Sequence, residues 1–508
     1  MILTRLCTKL FRHEATFQFC LIVFMILYYG TILIGRDFDL FRPAGHIGLT
    51  FNTMLEHLLH GRFDVDPQVI GFEGFLRDGR VYSYWGAFCA FIRLPLIAFK
   101  GGLATDVTRL SCLAGVCLAG TMKLRTALFM RRYCQLTPIS EWAFFLLVVY
   151  IVFGGAAVGY LRPSIYQEIV YWAAAFGAAF VYYAVKGIVQ ASFTVGRLGL
   201  MALFAGLALL DRVSTGMGLF AALGLLLVWL VLVENTATDD FRLRRGQAAR
   251  ILTAITSRRI LIPGAILLGF AILTGTINFF RWGNPLTFAD FSLYLYNQGY
   301  VDRIGRTQTY GLFNLARIPF SLGYYFVPIW VLQGSDGQLL FEETRNRLFD
   351  SAELPPSSFF LTDLLPFVFI AFLAVSFRRA QPFRPIAWGQ LLALALGLAV
   401  PGVLMLTAIS LNYRYRMEFY PEIDLLGFIG LYTATSSGGA LAIPPARYCR
   451  CGLWLAFATL VSVLLAHGAL LLLKMSDFGP VQEHLQDRTI WQYYWNAWSV
   501  AHGATVSH

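Results

Sequence analysis

Two aspartates stand where an apolar run ends, in the stretch ILIGRDFDLFRPAGH at 32–46. The preceding residues are nearly free of charge for about nineteen positions, close to the length that a helix needs to cross a bilayer. A carboxylate at this point can take a proton from a reacting group, or it can be a solvated residue at the helix end. If the backbone is extended, Asp37 and Asp39 share a face, whereas in a helix they point about 200° apart and only one can face a site.

Other charged residues stand at the ends of further apolar runs. Glu168 begins one of them, where it either complements the helix dipole or serves a function, because an acid that enters the membrane is costly. Arg414 and Arg416 directly follow another run. A guanidinium there can bind a phosphate through two parallel hydrogen bonds, lie at the membrane interface, or pair with Glu418 about one helical turn further on.

Three more candidates lie in polar segments. Glu73 and Asp78 follow the aspartates along the chain, and Asp78 before Gly79 is typical of a turn. Arg162 stands in the short connection RPSIYQE. His57 and His60 are three residues apart and could offer two metal ligands, but we interpret them as the polar face of a helix and predict no metal site.

The composition predicts an all-α polytopic membrane protein. The chain has 508 residues, of which 57% are hydrophobic and 14% charged, and its mean hydropathy is +0.62, which is unlike a soluble domain. The net charge of +11 comes from short basic clusters between apolar runs, as the positive-inside rule predicts, so we expect no nucleic-acid partner. The eight cysteines lie mostly in apolar or basic segments and indicate no disulfide framework.

We predict about eleven transmembrane helices, each near the length that the hydrocarbon core requires. The first is a retained signal anchor, and the others lie near 106–128, 141–160, 169–188, 196–210, 215–233, 260–280, 358–376, 386–409, 420–438 and 452–473. Every second connection carries a basic cluster, which places the N-terminus in the cytoplasm and the C-terminus outside.

The predicted transmembrane domain covers 1–474 and an aromatic-rich tail covers 475–508. Long outer loops lie at 36–105 and 281–357. In the first loop, the stretch FNTMLEHLLHGRF at 51–63 has apolar residues at helical spacing, and we expect this amphipathic helix to lie flat on the membrane surface. The sequence has neither a phosphate-binding GxxxxGK[ST] loop nor GxSxG or HExxH, so an ATP-driven pump, a serine hydrolase and a zinc peptidase have no local support.

The order of these features resembles the GT-C class of integral-membrane glycosyltransferases. The stretches HLLHGRFDV, DGRVYSYWGAFCAFIRLP, RWGNPLTF and RYRMEFYP look like motifs of bacterial members, and the resemblance extends from about residue 36 to 425. It implies an enzyme that moves a sugar from a polyprenyl-phosphate carrier to a glycan or lipid acceptor outside the bacterial cytoplasmic membrane. A divalent cation as cofactor stays open.

The resemblance also implies roles for the charged residues. In this class a carboxylate near the start of the first outer loop acts on the acceptor, and basic residues hold the phosphate of the donor. The predicted catalytic residues are Asp37, Asp39 and Glu168, and the predicted substrate-binding residues are Glu73, Asp78, Arg162, Arg414 and Arg416. Neither aspartate is followed directly by a second acid, as in the common Asp-Glu pattern, so both stay candidates for the base.

Two alternatives make different predictions. A transporter or flippase of a lipid-linked saccharide predicts interrupted helices in matching halves and charges near the bilayer midplane, and the sequence shows no clear half-to-half repeat. A non-catalytic membrane scaffold predicts that the outer acids can be replaced without loss of function.

Overall fold

A computed structural model describes residues 14–35, 37–134, 136–160, 162–233, 255–299, 301–327, 347–352, 358–378, 385–435, 441 and 444–475. The predicted tail therefore lies almost wholly outside the described residues. Within the described ranges the protein is all-α apart from two short strand pairs. Strand β1 (Phe75–Arg77) pairs antiparallel with β2 (Arg80–Tyr82), and β3 (Ser351–Ala352) pairs parallel with β4 (Ser410–Leu411).

Eighteen α-helices are described in these ranges, and several are single turns. They are α1 (Glu14–Leu33), α2 (Thr50–Leu59), α3 (Pro67–Ile70), α4 (Phe88–Phe91), α5 (Thr108–Arg131), α6 (Pro138–Phe153), α7 (Ala156–Gly159), α8 (Ile165–Val189), α9 (Val195–Asp211), α10 (Val213–Val233), α11 (Arg258–Trp282), α12 (Val301–Tyr310), α13 (Ile318–Phe326), α14 (Phe359–Thr362), α15 (Leu364–Arg378), α16 (Pro385–Thr407), α17 (Tyr420–Thr435) and α18 (Tyr448–Met475).

Seven of the described helices are long and apolar enough to cross a membrane: α1, α5, α8, α10, α11, α16 and α18. The protein is thus a multi-pass membrane protein. A helix lies at each of the eleven predicted positions, but the other four are shorter than about 18 residues. Helix α6, for example, ends at Phe153 because Gly154 and Gly155 follow, and the predicted segment 141–160 continues only as the single turn α7.

Small residues let the helices approach closely. Helices α10 and α16 pack along each other, and a Cβ added at Gly397 would collide with the backbone of Ala222, while one added at Gly218 would meet the ring of Pro401. Such contacts are typical of helices that associate inside a membrane, where packing and not hydrophobicity drives association.

The first loop packs into the protein interior. Phe51, Met54 and Leu55 of α2 are almost fully buried and belong to one core with Trp85 and residues of α1, α5 and α8. The apolar side of α2 therefore packs on protein at these residues, and the predicted position of the helix on the membrane surface stays a prediction. The amphipathic pattern was interpreted correctly as a helix, but the pattern alone does not distinguish lipid from protein as the apolar partner.

One end of the helix bundle, which we call the loop face, carries both long loops. Arg109 at the start of α5 donates to the carbonyl of Ile34 at the end of α1 (3.1 Å), and Arg281 at the end of α11 donates to the carbonyl of Trp85 in the first loop (2.8 Å). At the opposite end of the bundle, Arg132 pairs with Glu14 (2.6 Å).

A buried arginine joins the second loop to the end of α16. Arg317 has no exposed surface, and its guanidinium donates to four backbone carbonyls, those of Gly311, Leu312, Leu348 and Thr407. Carbonyls at a helix C-terminus have no intrahelical donor, so a cation is favourable beside Thr407. The second loop is thereby placed next to residues 410–418, which follow α16.

Candidate functional site at the loop face

The backbone between the two aspartates is neither extended nor helical. Phe38 has a left-handed φ of +50°, and the two side chains differ as a result. Asp39 accepts hydrogen bonds from the backbone N–H groups of Phe41 (3.2 Å) and Arg42 (3.0 Å), which is a turn-forming role. Asp37 is half exposed, and its carboxylate lies 3.7 Å from Nη1 of Arg42. Asp37 therefore presents its carboxylate to solvent, whereas Asp39 uses one carboxylate oxygen in the turn.

Glu168 is a buried counter-ion. Its two oxygens accept from the guanidinium of Arg93 at 2.7 and 2.9 Å, and neither side chain has exposed surface. Arg93 also donates to Asn52 (2.8 Å) and to the carbonyl of Cys89 (2.6 Å). This arrangement ties the start of α8 to the first loop, and the predicted catalytic role of Glu168 stays a prediction.

Asp78 forms the turn that its sequence predicts. Asp78 and Gly79 both have positive φ (+51° and +74°) between the paired strands β1 and β2, as the two central residues of a type I′ hairpin require. The Asp78 side chain is 82% exposed. Arg162 is also exposed, and its carbonyl accepts from the hydroxyl of Tyr171 (3.1 Å), so its predicted contact with substrate stays a prediction.

Glu73 lies where three distant segments meet. Its carboxylate accepts a hydrogen bond from Tyr294 of the second loop (2.6 Å) and is also reached by the hydroxyl of Tyr166, at the start of α8. The rings of Tyr294 and Phe75 stack at 4.8 Å, and the N–H of Leu295 donates to the carbonyl of Gly74 (3.0 Å). Glu73 is only partly buried.

Two arginines stack on tyrosine rings beside Glu73. The guanidinium carbon of Arg414 lies 5.1 Å from the ring centre of Tyr166 and 5.4 Å from that of Tyr415. The guanidinium carbon of Arg212, between α9 and α10, lies 5.2 Å from the Tyr415 ring centre. Arg212, Arg414 and Tyr415 are all partly exposed. Such stacking places a cation by attraction to the ring face.

Tyr84 lies near the same residues. Burial, followed by the nearby Tyr415, raises the pKa of Tyr84 to about 12, with Arg414 acting in the opposite sense and Glu73 in the same sense. The Tyr84 hydroxyl thus stays protonated and can donate a hydrogen bond at neutral pH. We call this set the arginine–tyrosine cluster; its members are Glu73, Tyr84, Tyr166, Arg212, Tyr294, Arg414 and Tyr415.

Glu418 contacts the cluster through Arg212. Its carboxylate pairs with Arg212 and accepts hydrogen bonds from Ser214 (2.7 Å) and Thr215 (2.6 Å). The considered pairing of Arg414 with Glu418 stays a prediction. Asp211, next to Arg212 in the chain, accepts a hydrogen bond from the thiol of Cys89 (3.2 Å).

Arg416 points away from the loop face. Its side chain is 4% exposed, and it donates to Asp363 (2.9 Å) and Thr362 (2.5 Å), with its guanidinium carbon 4.4 Å from the ring centre of Phe359. Arg416 is thus bound to a buried carboxylate, and its predicted phosphate contact stays a prediction. Arg414, two residues earlier, keeps the accessible position.

Sequence reasoning missed Arg93, Arg212 and Asp363 as organisers of this face. Arg93 and Asp363 each stand within a short apolar run, and a charged residue inside such a run is the signal that would have identified them. Among the described residues, no group of three or more His, Cys, Asp or Glu side chains is placed to hold a metal ion.

The arrangement combines two partly exposed guanidinium groups, a carboxylate and several phenols at the end of a membrane bundle. Guanidinium groups bind phosphate oxygens, while carboxylates and phenols exchange hydrogen bonds with hydroxyl groups. The cluster is therefore suited to a ligand that carries both an anionic group and several hydroxyls.

Three solved structures are similar to this chain in the arrangement of their helices. The apo oligosaccharyltransferase of Archaeoglobus fulgidus is 13% identical over 92% of this chain and 59% of its own length, with a TM-score of 0.47. The same enzyme in complex with an inhibitory peptide and a dolichol-phosphate is 12% identical over 93% of this chain and 60% of its own, with a TM-score of 0.48. ArnT from Cupriavidus metallidurans bound to undecaprenyl phosphate is 13% identical over 95% of this chain and 75% of its own, with a TM-score of 0.40.

The oligosaccharyltransferase and ArnT are GT-C glycosyltransferases, the class that the sequence motifs resemble. This chain spans about three-fifths of the length of the oligosaccharyltransferase. No family model and no curated protein matches it. With TM-scores below 0.5, the likeness carries no argument about the reaction, and the residues of this chain carry the proposal that follows.

Proposed function

We propose that this protein is a membrane glycosyltransferase of the GT-C type, which moves a sugar from a polyprenyl-phosphate carrier to a glycan or lipid acceptor on the outer side of the bacterial cytoplasmic membrane. The observation that carries the proposal is the arginine–tyrosine cluster. It places the partly exposed Arg414 and Arg212 beside hydroxyl-binding groups at the membrane boundary, where the phosphate of a lipid carrier would stand.

An apolar groove beside the cluster supports a lipid-linked donor. The groove has a volume of about 510 Å³ and is lined by Leu209 of α9 and by Ile272, Phe279 and Leu286 in and after α11, with other mostly apolar residues. This volume lies within the range of ligand-binding sites. Leu209 stands near the end of α9, which Arg212 directly follows, and we propose that the carrier's chain occupies the groove while its phosphate meets the cluster.

The reaction assigns each group one task. A hydroxyl oxygen of the acceptor attacks the anomeric carbon, the bond from that carbon to the phosphate oxygen breaks, and the phosphate leaves with the electron pair. Arg414 stabilises the charge that develops on the phosphate. Asp37 takes the proton of the attacking hydroxyl, since Asp39 is engaged in its turn. Glu73 and Tyr84 bind sugar hydroxyls.

Loss of the gene tests the proposal. Mass analysis of the envelope glycans of a deletion strain is expected to show one missing sugar, and the wild-type gene restores it. A gene carrying Arg414→Gln is expected not to restore it, whereas Arg80→Gln, an exposed arginine of the β1–β2 hairpin, does. An unchanged glycan profile in the deletion strain contradicts the proposal.

A transporter of lipid-linked saccharides is the second candidate, because one ion pair is buried within the helices. Lys123 of α5 and Asp424 of α17 lie 2.9 Å apart, and each side chain is 8% exposed. Charges inside the bilayer often belong to transport pathways. Accumulation of the lipid-linked saccharide on the inner leaflet of the deletion strain would favour transport over transfer.

A further inference from the structure

The short turn that carries Arg414 depends on contacts made by its neighbours. Tyr413–Glu418 is a 3₁₀ turn, and such turns are short and poorly supported by their own hydrogen bonds. Three of its side chains contact the bundle. Tyr413 accepts from Gln167 (3.3 Å), Arg416 donates to Asp363 (2.9 Å), and Glu418 is bound by Arg212 and its neighbours.

Asp363 is the most deeply buried partner of this turn. It has no exposed surface and stands between α14 and α15. Its carboxylate accepts from the hydroxyls of Tyr150 (2.5 Å) and Thr362 (2.7 Å) as well as from Arg416 (2.9 Å). A carboxylate with three donors of this kind has little freedom to move, because each donor lies on a different element or on the turn itself.

A glycine makes the space for this carboxylate. A Cβ added at Gly155, in the break between α6 and α7, would collide with the carboxylate of Asp363, and one added at Gly159 would lie 2.8 Å from Sδ of Met417. Gly155 has an ordinary helical φ of −55°. Alanine could adopt the same backbone conformation. Position 155 therefore requires glycine because a side chain would collide with Asp363, and not because of its backbone angles.

We propose that Asp363 is a positioning residue for the donor phosphate. Asp363 binds Arg416 and thereby fixes the position and orientation of the 3₁₀ turn. The turn positions the Arg414 guanidinium between the rings of Tyr166 and Tyr415. Asp363 itself does not touch the substrate. The inference rests on the proposed function in one respect, namely that Arg414 binds the phosphate.

Gly155→Ala tests the inference without changing any charge. The added methyl group displaces the Asp363 carboxylate, and we expect the affinity of the full-length protein in nanodiscs for undecaprenyl phosphate to fall about tenfold. Asp363→Glu, which keeps the charge but lengthens the side chain, is expected to have a similar effect. Gly224→Ala on α10, where a Cβ meets nothing within 4 Å, is the matched control and is expected to bind as the wild type does.

A double-mutant cycle distinguishes positioning from a general loss of structure. If Asp363 acts through Arg414, Gly155→Ala causes no further loss of affinity in an Arg414→Gln background, because the two changes remove the same contact. Independent, additive losses in the double variant would overturn the inference, as would wild-type affinity of both Gly155→Ala and Asp363→Glu. A wild-type protein that does not bind undecaprenyl phosphate contradicts the proposed function itself.

Discussion

Arg414 and Arg416 are two residues apart, yet they occupy opposite environments. Arg414 lies against two tyrosine rings and is partly exposed, whereas Arg416 is bound to Asp363 in the interior. Stacking on a ring places a guanidinium at a partly exposed position, but pairing with a buried carboxylate satisfies the charge internally. The difference separates the proposed ligand-binding surface of the loop face from the buried ion pairs next to it.

The largest expected effect is on stability, at a buried pair. Glu168→Gln leaves the Arg93 cation without its counter-ion, and we expect the free energy of unfolding to fall by about 3–5 kcal/mol. Thermal unfolding of the purified protein measures this. Replacing both residues in Glu168→Leu with Arg93→Leu is expected to recover most of the loss; a single variant as stable as the wild type would show that the pair is not a structural one.

The next effect is on activity, at the exposed aspartate. Asp37→Asn removes the proposed base and is expected to lower the transfer rate about 100-fold without changing thermal unfolding. Asp39→Asn keeps an oxygen that accepts the turn's hydrogen bonds and is expected to stay within about threefold of the wild type. Equal losses in both variants would contradict the distinction drawn between the two carboxylates.

A smaller effect is expected from the ring between the two arginines. Tyr415→Leu removes the aromatic face from Arg414 and Arg212, and we expect donor binding to weaken by about 1 kcal/mol, or roughly fivefold. Tyr415→Phe retains the ring and serves as the control. Equal affinities of the Leu and Phe variants would show that stacking does not place these guanidinium groups.

The smallest effect is expected at the hairpin turn. Asp78→Asn removes a charge but retains a side chain that tolerates positive φ. We expect changes in stability and activity within about 0.5 kcal/mol, measured by thermal unfolding and by the transfer assay. A large loss of activity with normal stability would return Asp78 to the substrate-binding residues that the sequence predicted.

The pattern of apolar runs was sufficient to predict a helix at each of the eleven positions, since run length and helix length are directly related. The Asp78–Gly79 pair predicted the turn between β1 and β2. The structure places the turn carrying Arg414 beside the start of α8, the helix that carries Glu168.

Ion pairs between residues that are distant in the sequence could not be predicted from the pattern of apolar runs. Glu168 pairs with Arg93, and Arg416 pairs with Asp363. Both pairings depend on how the helices and loops pack, so the local spacing of residues in the sequence cannot predict them. The choice between Asp37 and Asp39 depends on the positive φ of Phe38, which is uncommon for a residue with a Cβ. The partner of an amphipathic helix, lipid or protein, was open for the same reason in α2.

The central claim is that the arginine–tyrosine cluster binds the phosphate of a polyprenyl carrier through Arg414. Binding of undecaprenyl phosphate to the full-length protein in nanodiscs tests it most directly, with Arg414→Gln compared with Arg80→Gln. We predict that Arg414→Gln weakens binding by about 2 kcal/mol, roughly 30-fold, while Arg80→Gln binds as the wild type does and both unfold at the wild-type temperature. Equal affinity of the two variants would contradict the assignment of the donor site.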